Sequence, residues 1–436
     1  MLNAPALNHP VDLSLWEATA EPPPPCPPLS GPAETEVAIV GAGFLGAATA
    51  LSLAEQGVAV TLLEAAPGPG GGASGRSGGQ VIPGLRHDPR LLVERYGPQV
   101  AARLDTVAAE GGKTTFGLIA RHGIACDASN SGYIQAIDTE AGLAEGRDRH
   151  ADWTARGEHS RFLSRDETVA ALGSDAYLGG WTIPTGGHLH PLSYVRGLCR
   201  AAIAAGAKVH GGSPVQSVAR DGAGWVLKTP TGTLRARRLL LATNARDGGI
   251  WPGLTRSALL VWSFQVATPP LSEERRARLL PGNPAVSDTR RVLRYFRRDA
   301  AGRMIVGGKG TLSAPARLAQ FATVRRMLAR LYPELAAEPL DFAWGGQVAV
   351  SIGRWPQLMR LGPDAWAAMA DNGKGVAFTT ALAPHLAAML ASGEEAASPL
   401  PVGGVKPIPV HAARRVYVGL GSLWLRFRDA AERRAA

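Results

Sequence analysis

Short apolar runs and glycine breaks set the rhythm of the chain after residue 35. "EVAIV" (36–40) is an apolar run short enough for a buried strand. "AATALSLAEQG" places its apolar residues at helical spacing and stops at Gly57, and "VAVTLLE" is a second buried strand. Strand, helix and strand in that order predict a right-handed βαβ crossover on a parallel sheet. Between about 96 and 175, helical stretches such as "RLLVERYGPQVAARLDTVAAEGGKTTFGLIARHG" alternate with polar loops. "LSYVRGLCRAAIAAG" predicts a helix ending at Gly206, followed by the strand-like runs "KVHGGSPVQSVAR", "GWVLKTP" and "GTLRARRLLLATNA". "RVLRYFRRDAAGRMIVGG" predicts a hairpin turning at "DAAG", and "DNGKGVAFTTALAPHLAAMLASG" a glycine loop opening a helix. Residues 1–35 contain "EPPPPCPP", an extended lead-in without hydrogen-bonded structure of its own.

Composition changes this picture little. With 436 residues, two domains of ~100–200 residues each are expected, with interleaved segments. A hydrophobic share of 45% supplies a sizeable core. The net charge of +10 favours acidic ligands, although a solvated basic surface accounts for it equally well. Arginines and aromatics interleave in "RRVLRYFRR", but a hairpin with alternating faces explains them, so no nucleic-acid partner is expected. Cys26, Cys126 and Cys199 are odd in number and lack CxxC spacing, which implies neither a disulfide framework nor a metal site. They point to a reducing, cytoplasmic location. The N-terminus lacks the pattern of a signal peptide. No run of ~18 apolar residues predicts a membrane span.

The chemistry starts at Gly41, Gly43 and Gly46, a G-x-G-x-x-G between strand and helix. The first glycine permits the tight turn, the second a close approach of backbone to a pyrophosphate, and the third close helix–strand packing. The N–H groups of the first helical turn, beside Phe44 and Leu45, then face an anion. Glu64 and Ala65 end the second strand, where a carboxylate binds ribose hydroxyls and repels a 2′-phosphate. A second stretch of small residues follows at once, "GASGRSGGQ". A nicotinamide has no evident use for it, whereas the larger FAD extends past the pyrophosphate. Ser74, Gly75, Ser77, Gly78, Gly79 and Gln80 are expected along the ribityl chain and flavin, with Arg76 reaching a phosphate or flavin oxygen. A flexible surface loop is the alternative.

These motifs resemble the FAD-dependent amine and amino-acid oxidases of the D-amino-acid oxidase superfamily, most of all the gamma-glutamylputrescine oxidase-like branch. The resemblance also rests on "SLWEATAEPPPPCPPLSG", "GHLHPLSYVRGL", "LLLATNA", "LRYFRRDAAGRMIVGGKG", "WGGQVAVSIGRWP" and "NGKGVAFTTALAPHLA", spread from about 14 to 390. Ser77 stands where the family often has Asn, and Lys374 where it often has His. The resemblance implies an α/β fold: a Rossmann-like FAD-binding domain (36–95, 176–255 and 345–400) and a mixed-β-sheet substrate domain (96–175 and 256–344). Both are discontinuous, with a lead-in at 1–35 and a basic extension at 401–436 that packs on its own domain. Val215, Thr243 and Asn244 would flank the cofactor. Gly373, Lys374, Gly375 and Val376 would offer N–H groups and a helix dipole to the flavin.

The implied reaction is hydride removal from the carbon beside an amine nitrogen, with hydrolysis of the imine and return of the electrons to O2 as H2O2. A dehydrogenase serving a quinone or carrier is the alternative, and a nicotinamide-dependent dehydrogenase a more distant one. No dedicated base is implied, because the protein supplies orientation and electrostatics. Candidate catalytic residues are Lys374, Lys309, Tyr295, Trp344 and Gln347. Lys309 corresponds loosely to an oxygen-activating lysine of related sarcosine oxidases. Tyr295 and Trp344 would wall an amine pocket. Gln347 falls where glycine oxidase-like members carry a carboxylate-binding arginine, which suggests an amine without an α-carboxylate or one held elsewhere, through Arg354. The cysteines lie outside the segment that tethers flavin in sarcosine oxidases, so FAD is expected to be non-covalent. The partners are then a small amine and an electron acceptor, for a monomer or homo-oligomer.

Overall fold

A computed structural model of the chain describes residues 7–421 and 424, apart from 223, 291–292, 311, 313, 370–371 and the Lys309 side chain. Two large mixed sheets organise it. In the first, strands Lys208–His210, Val60–Leu63, Gly31–Val40, Gly232–Leu241 and Ala365–Met369 lie side by side and parallel. Gln357–Gly362 adds antiparallel to the last of these, and Val402–Gly404 closes that edge. A hairpin, Ser217–Asp221 with Gly224–Lys228, pairs with the outer half of Gly232–Leu241. The predicted βαβ unit is present, its crossover helix spanning Phe44–Glu55.

Both faces of the central strands are covered, as parallel sheets require. Val37 and Ile39 face the helices Phe44–Glu55, Pro191–Ala204 and Gly375–Ser392, while Ala38 and Val40 face a second core with Leu239 and Leu241. The Gly375–Ser392 helix is 18 residues long with a mean hydropathy of 1.3, enough by length and composition to cross a membrane. Two-thirds of it is buried inside the molecule, against the Phe44–Glu55 helix. The expectation that no segment would qualify missed this helix because its apolar residues are interrupted by Thr, Pro and His.

The second sheet runs in the order Phe342–Val350, Leu259–Pro270, Arg303–Lys309, Arg294–Arg298, Ala285–Asp288, Tyr133–Ile137, Gly179–Ile183 and Phe162–Leu163. The predicted "DAAG" hairpin joins Arg294–Arg298 to Arg303–Lys309, with Gly302 at φ +84°. The sheets divide the chain at points offset from the expected boundaries. Gly179–Ile183 and Phe342–Val350 belong to the second sheet, and Val402–Gly404 to the first. A strand's periodicity reports that it is half-buried, not which sheet it joins.

The chain's two ends behave differently. The proline-rich stretch is extended, and carbonyls of Glu21, Pro22 and Pro27 accept hydrogen bonds from Arg196, Arg200 and His210. Before it, the helix Leu15–Thr19 carries Trp16 into the interior. The indole donates to Ser77 O at 2.8 Å and packs edge-on against Trp344 and His190. Past His411, which contacts Ala258 O, the C-terminal segment leaves Val416, Leu420 and Trp424 more than half exposed. The expected packing of this extension is thus seen only in its first part.

Trp16 is 1% exposed, so Trp16→Ala should destabilise the protein by about 3–5 kcal/mol. Trp16→Phe, which removes the N–H but keeps most of the volume, should cost clearly less. Thermal denaturation of the two variants checks the order.

Candidate functional site

A cavity of about 340 Å³ opens at the carboxyl ends of the parallel strands. Such edges are where open α/β sheets bind ligands. Its floor is the glycine turn. Gly41 has φ +104°, and a Cβ there would lie 2.9 Å from Ala242 O. A Cβ on Gly46 would lie 2.0 Å from Gly41 O, so the helix sits against its own turn with no room for a methyl. Gly43 caps the helix without a side chain, and a Cβ there would meet Ser74 Oγ at 2.9 Å. Ser74 Oγ accepts from Phe44 N at 3.0 Å. The N–H groups of Leu45 and Gly46 have no acceptor among the described residues. Free donors at a helix N-terminus, with backbone close enough for a pyrophosphate to touch, fit a dinucleotide.

Glu64 lines the same cavity. Its Oε2 accepts from Ala42 N at 2.8 Å and its Oε1 from Ala66 N at 2.9 Å, so the carboxylate also ties the glycine turn to the next loop. Ala65, Val215, Thr243, Asn244 and Gln347 line the cavity as expected. Asn244 takes a left-handed φ of +56° in the turn after Gly232–Leu241. Sequence reasoning missed Ser213, Arg246, Asp247, Gln357 and Thr379, which complete the lining. Their signal was positional: most follow the ends of strands whose neighbours were already assigned to the cofactor.

The second small-residue stretch is firmly held, which argues against a flexible surface loop. Ser74–Arg76 forms a helical turn, and Gln80–Val81 pairs with Gly187–His188. Gly75 packs on Gly70 O, Gly78 lies under the Tyr295 ring, and Gly79 sits against Leu189 O. Ser77 Oγ accepts from Gly79 N, and the Gln80 amide donates to Val286 O and Phe296 O. Residues 75–80 therefore do not line the cavity. Arg76 departs most from expectation. Its guanidinium donates to Gly345 O at 2.7 Å and to the main chain and carboxylate of Asp12, and it pairs with Glu17. The N-terminal carboxylates, silent in the sequence, hold it there.

Among the catalytic candidates, Trp344 is fully buried with its Nε1 on Arg76 O, so it braces the stretch instead of walling an open pocket. Tyr295 is half-buried, and its hydroxyl shares a 2.9 Å hydrogen bond with Ser263. Burial pushes its pKa up to about 12. Lys309 ends its strand opposite Ser263, with its side chain outside the described residues. Gly373, at φ +92°, and Lys374 lead into the helix that begins with Gly375 and Val376. Farther along it, Phe378, Thr379 and Leu382 line the cavity. Lys374 Nζ reaches Leu85 O at 3.3 Å and Pro83 O at 3.4 Å. Desolvation, and then the charges of Arg149 and Arg86, lower its pKa to about 7.

These features define a flavin-dependent redox protein of the doubly wound class. The profile described as "FAD dependent oxidoreductase" matches residues 36–389, and the chain belongs to that family. It is 33% identical over 366 residues to "Probable oxidoreductase OrdL" of Rhizobium meliloti (strain 1021), covering 83% of this chain and 84% of that one. It is 30% identical over 361 residues to "Gamma-glutamylputrescine oxidoreductase" of Escherichia coli (strain K12), covering 82% and 84%. Its fold matches the crystal structure of glycine oxidase from Geobacillus kaustophilus with a TM-score of 0.69 at 22% identity, covering 83% of this chain and 96% of that one. L-proline dehydrogenase from P. horikoshii gives 0.70 at 19%, covering 83% and 95%. The protein is an FAD-dependent oxidoreductase.

Two outcomes test this geometry. Glu64→Ala should weaken FAD binding at least about tenfold, since a charge-assisted hydrogen bond is worth ~1.5–3 kcal/mol. Recovery of flavin fluorescence on dilution measures it. Lys374 has a folded pKa below that of the unfolded chain, so the folded state bears a penalty that is complete below about pH 7 and fades as pH rises towards the unfolded value. Lys374→Met should therefore raise the melting temperature at pH 6, by about 1–2 °C, and the gain should shrink steadily towards pH 10. A gain that is flat with pH would remove the lysine from the desolvated position.

Proposed function

We propose that the chain oxidises the C–N bond of an amine: a primary or secondary amine, a polyamine derivative or an amino acid. FAD, when bound, takes up the hydride from the carbon beside nitrogen and delivers the electrons to an acceptor, here read as O2 with release of H2O2. The residues that would hold it are those of the glycine turn, Glu64, Ser74 and the strand ends at Val215, Thr243 and Asn244. The first sheet then forms the FAD-binding domain and the second the substrate domain. Non-covalent attachment is in keeping with Cys126 and Cys199 being buried, and none of the three cysteines lines the cavity. Three unpaired thiols also favour a cytoplasmic setting.

The observation that carries the amine reading is the part of the cavity supplied by the second sheet. Its strands Leu259–Pro270 and Phe342–Val350 contribute Leu260 and Gln347, neither of them charged. Such surroundings disfavour an ammonium and favour the neutral amine, the form able to lose hydride. Gln347 can orient the nitrogen without adding charge. The named activity of the Escherichia coli relative supports the same donor class.

Anaerobic mixing of FAD-loaded protein with a panel of amines tests the reading. Flavin reduction should speed up with pH and level off above the pKa of the bound amine, and deuterium beside nitrogen should slow it. Bleaching by hydroxy acids but by no amine would refute the donor assignment. Fast reoxidation in air-saturated buffer supports the oxidase, and slow reoxidation a dehydrogenase.

A further inference from the structure

A second, more open pocket of about 510 Å³ lies between residues 86–91, the helix Glu140–Ala155 and the turn Ile352–Arg354. Arg86, Arg149 and Arg354 line it, and among the described residues none has a carboxylate within 4 Å. The pocket's acids are otherwise engaged or apart. Asp88 caps the helix Pro89–Tyr96 and pairs with Arg90. Asp148 lies 4.0 Å from Arg90. Glu145 attracts Arg86 without contacting it.

The arginines are held in place. Arg149 donates to the carbonyls of Arg86 and His87, at 2.7 and 3.2 Å. Arg354 has φ +60° and follows Gly353 at +69°, a left-handed pair that a bulky side chain seldom joins. His87 clamps that turn. Its Nε2 lies 2.8 Å from Gly353 O, and its ring stacks on Trp355 at 3.6 Å. Gathering these cations has a cost: desolvation and the neighbouring Arg354 lower the Arg86 pKa to about 10.

The pocket adjoins the cofactor cavity. Pro356 and Gln357, just after Arg354, line that cavity. Lys374 bridges the two regions, because its ammonium touches Leu85 O beside Arg86 and its helix lines the cavity.

We propose that this pocket is the subsite for a carboxylate carried at the end of the amine substrate remote from the oxidised nitrogen, bound by Arg86 and Arg354 with Arg149 behind them. The proposal rests on the amine reading and narrows it to carboxylate-bearing amines. Planar guanidinium forks match a carboxylate in two-point hydrogen bonds. A phosphate suits the pocket less, because Asp88, Glu145 and Asp148 repel a doubly charged group more strongly than a singly charged one.

Two amines differing in one group provide the test. N-(4-aminobutyl)glutaramate ends in a carboxylate, and N-(4-aminobutyl)pentanamide ends in a methyl. FAD-loaded protein should prefer the first by about tenfold or more in kcat/KM, chiefly through KM. Arg354→Gln and Arg86→Gln should each reduce that preference to about threefold or less. Equal use of the two amines by the unsubstituted protein would overturn the proposal. Calorimetric titration with glutarate reads the pocket without turnover. Glutarate should bind the unsubstituted protein roughly fivefold or more tightly than either variant, and more tightly than inorganic phosphate does. Tighter phosphate binding, or glutarate binding that neither substitution weakens, would defeat it. Should neither amine reduce the flavin, the amine reading fails, and the titration still decides whether the pocket binds carboxylate.

Discussion

The cofactor cavity depends on how closely the Phe44–Glu55 helix approaches the strand before it. Gly46 stands so near Gly41 O that a methyl would overlap it, and Gly41 in turn lies against Ala242. This contact fixes the helix axis relative to the parallel strands, so its first N–H groups point over the sheet's carboxyl edge. Glu64, Val215, Thr243 and Asn244 all leave that edge and meet in one cleft. A helix displaced by even the width of a methyl group would carry its donors and dipole away from that cleft, since the effect is confined to the first turn.

The stretch from Ser74 to Gln80 acts as a joint between the two sheets. One side touches the glycine turn through Ser74, and the other meets the second sheet through Tyr295 and Gln80. Arg297 is a buried cation in this joint. It donates to Gly78 O and Leu189 O and lies 5.0 Å from the Trp16 ring. Arg76, Gln265 and Trp344 meet there as well, for the Arg76 carbonyl accepts from both of the others. Small residues are needed here because ring and backbone neighbours approach closely on both sides.

Much of this was legible in the sequence where the signal was local. The βαβ unit, the glycine trio, the carboxylate at the second strand's end and the "DAAG" hairpin each sit within a few tens of residues. Contacts between distant segments were not legible. Arg76 was expected at the cofactor because the N-terminal carboxylates of Asp12 and Glu17 give no local hint that they hold it. Trp344 was expected as a pocket wall because an aromatic in a strand looks the same whether it faces a cavity or a core. The sheet membership of Gly179–Ile183 was likewise decided by pairing with Tyr133–Ile137, beyond the reach of periodicity.

The lead-in helix gives the chain an awkward order of assembly. Asn8 and Asp12 hydrogen-bond to Leu340 and Ala343, and Trp16 packs on Trp344. The first part of the polypeptide to leave the ribosome thus has its docking partners in the last hundred residues. Throughout synthesis Trp16 has no interior to enter, and the glycine stretch it braces stays unsupported. The joint between the sheets closes only once the strand Phe342–Val350 has emerged, so the finished cofactor cleft is a late product of translation.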